Sequence, residues 1–335
     1  MNNIKTAFDI GNSSLKIASV KQGALHLYEV PMPENMMEQD LIAMPNAFSA
    51  FLKKVKNQLH LPKGPAALIL PPSQVICRLV TMPYMTVDQL LLNLPYEFND
   101  FIHGETNQYF CDYALCEEEN AEMDDALENK ELTMMAAVAE KQQIQEYIKI
   151  FAAGGFSLKR ILPQEMAYIQ LAQYQIQNKE NSQREYCFID LGQLSSRVYI
   201  VNHDKIQATR QIPTGMRELD YVIGDLLNID PFLATSYKRN NYMEVLDHPR
   251  CMEIYEQIAV EILKLINFYH FTYRQNQLTS LYVTGGGSEI SQLVKVIEEA
   301  IGLPVLPVSQ LLPQTEGEQN LHNICSRAAA MTFSR

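Results

Sequence analysis

The chain has 335 residues, 47% of them hydrophobic, which is enough for one or two domains with a real core. Its 27 Lys and Arg face 39 Asp and Glu, a net charge of -12, and no Lys/Arg cluster interrupts the acidic excess. Such a surface repels nucleic acid and anionic lipid, so nucleic-acid binding is not expected as the function.

Residues 1–5 lead straight into a strand without the apolar stretch of a signal peptide, and no later run is long enough to span a bilayer. A cytoplasmic location is expected. Three strand-like segments follow, residues 4–8, 15–20 and 24–30; a tight turn, Asp9-Ile10-Gly11-Asn12-Ser13-Ser14, joins the first two. Residues 40–59 read as a helix and 66–70 as a short strand of the buried parallel type. From Val75 the pattern changes to a compact α+β insert. It holds a strand at 75–82, an amphipathic helix at 87–101, strands at 109–115 and 132–139, and a helix at 141–153 ended by Gly154-Gly155. Within it, residues 116–131 carry eight carboxylates and one Lys and read as a solvated, mobile loop. A strand at 158–162 returns to the first domain. Pro163-Gln164-Glu165-Met166-Ala167 then opens a helix, and the polar stretch 177–184 is the expected hinge between two halves.

The second half starts as the first did. Asp190-Leu191-Gly192-Gln193-Leu194-Ser195-Ser196 repeats the first turn with one extra residue, between strands at 186–189 and 198–201, and a third strand follows at 206–212. Allowing for that residue, Ser13-Ser14 falls on Ser195-Ser196, Pro31 on Pro213, and Lys16 on Val198. After Gly215 come helices at 217–227 and 231–239 and a long one at 252–275. The last carries an apolar stripe of Tyr255, Ile258, Ala259, Ile262, Leu265, Ile266 and Tyr269. An apolar strand then runs into Thr284-Gly285-Gly286-Gly287-Ser288, and helices at 290–301 and 320–333 close the chain. The six cysteines are scattered in mostly apolar context and the seven histidines form no cluster at metal spacing, so buried reduced thiols are expected and no metal site is read from them.

A glycine after a strand usually means no more than a turn, and an aspartate there often just caps it. Three such turns, two of them copies of each other, are much more specific. Each Gly lets the backbone fold tightly and turn successive N–H groups toward an anion, and the third lets it approach a flat ligand that a Cβ would block.

In this order the motifs resemble the phosphate-1, phosphate-2 and adenosine elements of the actin-like ATPase superfamily. Within it the chain is similar to the type IV pilus assembly PilM family, relatives of the division protein FtsA. The likeness covers nearly the whole chain: residues 9–16, 66–82 with the Pro71-Pro72-Ser73 break, 131–171, 186–215, the long helix, and the turn at Gly285. It implies an α/β fold of duplicated ribonuclease-H-like halves flanking a nucleotide cleft. The first domain would comprise residues 1–74 and 156–184, the α+β insert 75–155, and the second domain 185–335, with 216–279 as its helical subdomain.

The resemblance also implies ATP and Mg2+ as ligands. Asp9 and Asp190 would be the catalytic pair flanking the Mg-bound phosphates, mostly through water, while the backbone of Gly11, Asn12, Ser13 and Ser14 held the β/γ end. Lys16 would reach the phosphates as a point charge. Gly192, Gln193 and Gly215 would form the second phosphate turn, and Gly285, Gly286 and Gly287 the adenosine side. Glu165 matches an acidic residue that orients the attacking water in related ATPases, although a helix N-terminus favours Glu on electrostatic grounds alone. Lys238 would lie near the adenine. Relatives carry Ala-Glu-x-x-Lys there, and this chain has Thr235 in place of the Glu, which weakens the expected hold on the ribose. Slow turnover at most is therefore expected.

The partner implied is the cytoplasmic N-terminal peptide of a PilN-like inner-membrane protein, bound beside the insert, with self-assembly into a ring or filament as a further expectation. Recruitment to the membrane would then run through that partner, without direct insertion. Two alternatives share the fold. An FtsA-like division or filament protein normally ends in a linker and an amphipathic membrane helix, whereas this chain's last helix reaches residue 333. A small-molecule kinase of the sugar or acetate type usually carries longer decorations in its first domain.

Overall fold

The computed structural model describes residues 4–117, 131–178, 183–313 and 319–333. The chain forms two compact units, Met1–Tyr174 with His203–Gln207 and Arg327–Arg335, and Gln175–Asn202 with Ala208–Ser326. Most of the expected acidic loop (118–130) and the middle of the expected hinge (179–182) lie outside the described residues.

The first unit opens with an antiparallel meander, β1 (Thr6–Ile10), β2 (Ser14–Lys21) and β3 (Ala24–Pro31). A two-residue ladder, β4 (Met37–Glu38) with β5 (Leu41–Ile42), puts its second strand at the start of the stretch expected as helix, so helix α1 is shorter, Pro45–Gln58. Pro45 in its first turn has no amide to lose there, and Phe48, Leu52 and Val55 bury one face. Strand β6 (Pro65–Leu70) is apolar throughout because it runs parallel inside the sheet.

Next comes the insert: β7 (Val75–Pro83), α2 (Val87–Asn93), β8 (Tyr109–Leu115) and β9 (Glu131–Glu140), a sheet in the order β7-β9-β8. Thr86 and Gln89 form a capping box on α2. The expected helix over 87–101 ends early: Pro95 cannot donate the amide that a continuing helix needs, and the chain goes on as a 3-10 turn at Leu94–Phe98. Val80, Leu90, Leu94, Phe98, Met134 and Val138 give the insert its own core. Helix α3 (Lys141–Ala153) ends at Gly154, where a Cβ would lie 2.7 Å from that of Leu52. Strand β10 (Ser157–Pro163) completes the main sheet, order β10-β6-β1-β2-β3, and leads into α4 (Gln164–Asn178).

The second unit repeats the meander as β11 (Glu185–Leu191), β12 (Ser196–Asn202) and β13 (Lys205–Ile212). Helices α5 (Met216–Leu227), α6 (Pro231–Arg239) and α7 (Pro249–Thr272) follow, then β14 (Leu281–Thr284), α8 (Ser291–Ile301), β15 (Val305–Pro307), α9 (Gln319–Ile324) and α10 (Ser326–Ala330). The sheet order is β13-β12-β11-β14-β15. The stripe from Tyr255 to Tyr269 on α7 is buried as expected, while the single helix expected over 320–333 is split into α9 and α10.

Strand pairing corrects one detail of the repeat. Asp9 stands opposite Lys16, and Asp190 stands opposite Arg197, not Val198. The two hairpin turns are equally long, so the extra residue belongs beyond them. A slip of one residue changes the face of every side chain: Val198 is fully buried in the core, and Arg197 donates to Gln211 Oε1 at 2.7 Å. Each half therefore keeps a cation across from its aspartate.

Candidate functional site

The first turn lies between β1 and β2, closed by Gly11 N–H donating to Ser14 O at 3.0 Å. A Cβ at Gly11 would strike the Lys16 ammonium, which lies over the turn and makes no ion pair among the described residues. Ser14 Oγ donates to Glu29 Oε1 at 2.7 Å, which fixes the exit of the turn on β3. Asn12 is held by Asp40, donating to its Oδ1 at 2.5 Å while the Asp40 amide donates back at 3.3 Å. Asp40 also accepts from Ser73 Oγ at 3.0 Å, and its carbonyl accepts from Gln74 Nε2 at 2.5 Å. Gln74 in turn accepts from Tyr147 OH at 2.8 Å, so a continuous chain of hydrogen bonds joins the turn to α3. Burial pushes the Tyr147 phenol up to about 12, partly offset by its bond to Gln74.

Asp9 is 4% exposed, and its Oδ2 accepts from Arg327 Nε at 2.9 Å. Arg327 Nη1 also donates to Gln164 Oε1 at 3.0 Å. The guanidinium of α10 thus bridges the end of β1 and the start of α4, where Glu165 is buried next to Gln164. Burial pushes the thiol of Cys77, on β7, well up, and the charges of Glu165 and Cys116 add to it.

In the second unit the second turn, Gly215 and Gly285–Gly287, distant in sequence, pack together. A Cβ at Gly215 would meet Gln193 O, Leu194 C and Ser195 N at 2.5–2.6 Å, all backbone. Gly285 has φ +83°, and a Cβ there would lie 2.7 Å from Leu191 O and 2.8 Å from Asp190 Oδ1. Gly287 is pressed between Leu191 and Met216, whereas Gly286 faces open space. The N-terminus of α5 is tied to the turn, since Met216 and Arg217 donate to the carbonyls of Gly192 and Gln193 at 2.9 Å. Thr284 Oγ1 donates to Asn323 O at 2.6 Å and shares a 2.8 Å bond with Ser326 Oγ.

Lys238 is buried on α6, its ammonium 2.7 Å from Asp220 Oδ1 and donating to Met216 O at 2.8 Å. Asp220 Oδ2 accepts from Gln193 Nε2 at 3.0 Å. Burial holds the Lys238 ammonium below the usual lysine range, opposed by the charge of Asp220. Lys238 thus joins α5, α6 and the second turn from within.

Sequence reasoning missed Asp220, Asp40 and Arg327. Asp220 left a readable signal, since it interrupts the buried stripe of Met216, Leu219 and Ile223 on α5. Asp40 and Arg327 left none.

In the second unit Gly286 is open beside two tightly packed glycines, and in the first Lys16 is half-buried without an ion-pair partner among the described residues. Among the described residues no three His, Cys, Asp or Glu side chains converge on a metal position, and Asp9 already has a cation. No helix among them is long and apolar enough to cross a membrane.

The family described as type IV pilus assembly protein PilM matches the chain over residues 7–321, and the chain belongs to that family. No curated protein sequence matches it. Among solved structures, a PilM-PilN type IV pilus biogenesis complex is 19% identical, covers 98% of this chain and 97% of that one, and has a TM-score of 0.80. The ethanolamine utilization protein EutJ from Carboxydothermus hydrogenoformans is 14% identical over 98% of this chain and 89% of that one, with a TM-score of 0.57. MreB 5 of Spiroplasma citri bound to AMPPNP is 11% identical over 96% and 93%, with a TM-score of 0.53. The fold is that of the actin-like ATPases.

Proposed function

We propose that this member of the PilM family is a nucleotide-binding scaffold of a type IV pilus, or related secretion or competence, machine. It would hold the cytoplasmic N-terminal peptide of a PilN-like inner-membrane protein. Family membership supports the place in the machine, and the solved relative that is a PilM-PilN complex supports the partner. One observation carries the nucleotide reading: the second turn, Gly215 and Gly285–Gly287 meet in a single patch where Gly286 has nothing beside it. A nucleotide would be held there through its base and sugar, with Gln193 kept in place by Asp220. Lys16 at the first turn would bind phosphate. Thr235 offers the ribose one hydroxyl where relatives offer a carboxylate, so binding of modest affinity and slow turnover are part of the proposal.

The exposed face of α2 and the turn after it is the surface proposed for the peptide. Val87, Leu91, Leu92 and Tyr96 are all exposed there, and Leu92 is 72% accessible. Apolar linear motifs bind such faces. Membrane recruitment would then run through the partner.

Isothermal titration with ATP tests the nucleotide reading, with Gly286→Phe as the informative variant. A Cβ there meets nothing within 4 Å, so the variant should fold and, with its ring in the patch, lose binding. Binding by Gly286→Phe equal to wild type would overturn the assignment, as would no heat from the wild type at millimolar ATP.

A further inference from the structure

The cation at the first turn comes from the chain itself. Asp9 is the residue whose counterparts, on the resemblance, face a hydrated Mg2+, yet here Arg327 reaches it at 2.9 Å with both side chains largely buried. The same guanidinium is anchored by Gln164 at 3.0 Å, so it is held from two sides. Lys16, the cross-strand neighbour of Asp9, is left to lie over Gly11 without an ion pair among the described residues. Arg327 pairs with Asp9, Ser14 and Asn12 donate to the carboxylates of Glu29 and Asp40, and Lys16 is a cation of the turn without an ion pair among the described residues. Arg327 already holds Asp9 Oδ2, so a divalent ion taking that oxygen would have to displace a buried guanidinium from its carboxylate, which is costly.

We propose that Arg327 stands in for the divalent cation at Asp9, so that the first turn binds phosphate through Lys16 with little dependence on Mg2+. The inference rests on the nucleotide reading above for its ligand but not for its first test, which uses the metal ion alone. Arg327 is here a positioning residue acting through Asp9.

Two measurements decide it. The first uses Mn2+ alone, followed by electron paramagnetic resonance on the full chain without nucleotide. Wild type should show no site, and Arg327→Gln, which frees Asp9 while keeping an amide near Gln164, should gain one that Asp9→Asn then removes. The second measures the affinity of a fluorescent ATP analogue with excess Mg2+ and with EDTA. The two values should agree within about threefold for wild type and differ by about tenfold or more for Arg327→Gln. A wild-type Mn2+ site that Asp9→Asn abolishes overturns the proposal. So does a wild-type loss of more than about tenfold on chelation, or a folded Arg327→Gln protein that gains no Mn2+ site. If no analogue binds under either condition, the nucleotide reading fails while the Mn2+ experiment still discriminates on its own. The wild-type arms do not need Arg327→Gln, so a protein with that substitution that does not fold leaves the test intact.

Discussion

Replacing Lys238 by Met separates a structural clamp from a ligand contact. In the second unit the Lys238 and Asp220 side chains are 9% and 4% exposed, and their charged atoms are 2.7 Å apart. Lys238→Met leaves a buried carboxylate with Gln193 as its neutral donor at 3.0 Å and takes a donor from the carbonyl of Met216. Removing one partner of a buried pair costs about 3–5 kcal/mol, which for a unit of this size lowers Tm by about 6–20 °C. Replacing both, as Lys238→Met with Asp220→Leu, removes the stranded charge and should recover most of the loss, because well-packed apolar pairs substitute for buried ion pairs. Thermal unfolding followed by circular dichroism on the wild type, both single variants and the double variant gives the coupling directly. A Lys238→Met protein that unfolds within about 1 kcal/mol of wild type, or a double variant no more stable than the singles, would refute the clamp. It would favour a lysine held out for the nucleotide.

Gly215→Ala forces a methyl into three backbone atoms and should cost about 1–3 kcal/mol together with nucleotide affinity, checked by urea unfolding and titration. Tyr147 is kept neutral in the fold, so its contribution is complete below the ordinary tyrosine value of 10.0 and is lost as pH climbs from there toward about 12. Tyr147→Phe should accordingly raise the midpoint of alkaline unfolding. Leu92→Glu changes an exposed side chain and should leave Tm within about 2 °C of wild type while abolishing binding of the partner's N-terminal peptide, read by fluorescence anisotropy. Unchanged peptide affinity would remove α2 from the docking surface.

Much of the fold is written in local pattern. The two Asp-x-Gly turns fall between runs of alternating or continuous apolar residues, and those runs are the strands of the two meanders. The stripe on α7 is regular enough to give its buried face residue by residue. Pattern fails where pairing decides. Val198 matches Lys16 by alignment, but the ladder sets Arg197 opposite Asp190. Pro95 is a legible helix breaker, yet the apolar spacing continues beyond it and stretches the expected helix too far. At the site, the glycines are legible because backbone conformation restricts their identity. The partners of Asp9, Asn12 and Lys238 are not, because ion pairs and hydrogen bonds between distant segments leave no periodic trace. Thr235 stands out only against the pattern of relatives, and nothing in its own surroundings marks it.

The bond between Asp9 and Arg327 joins residues 318 positions apart in the chain. At ordinary rates of synthesis, roughly 15–60 s of elongation separate the two on the ribosome. The first unit therefore emerges early but finishes late: its sheet can form while the second unit is still being made, with the aspartate at the end of β1 lacking its arginine. Until the last stretch is translated, the first turn holds an unneutralised carboxylate beside Lys16, and a nascent first unit differs in charge at this spot from the mature one. Any N-terminal fragment prepared for study would carry the same deficit, so its affinity for phosphates or divalent ions describes the unfinished turn and not the protein.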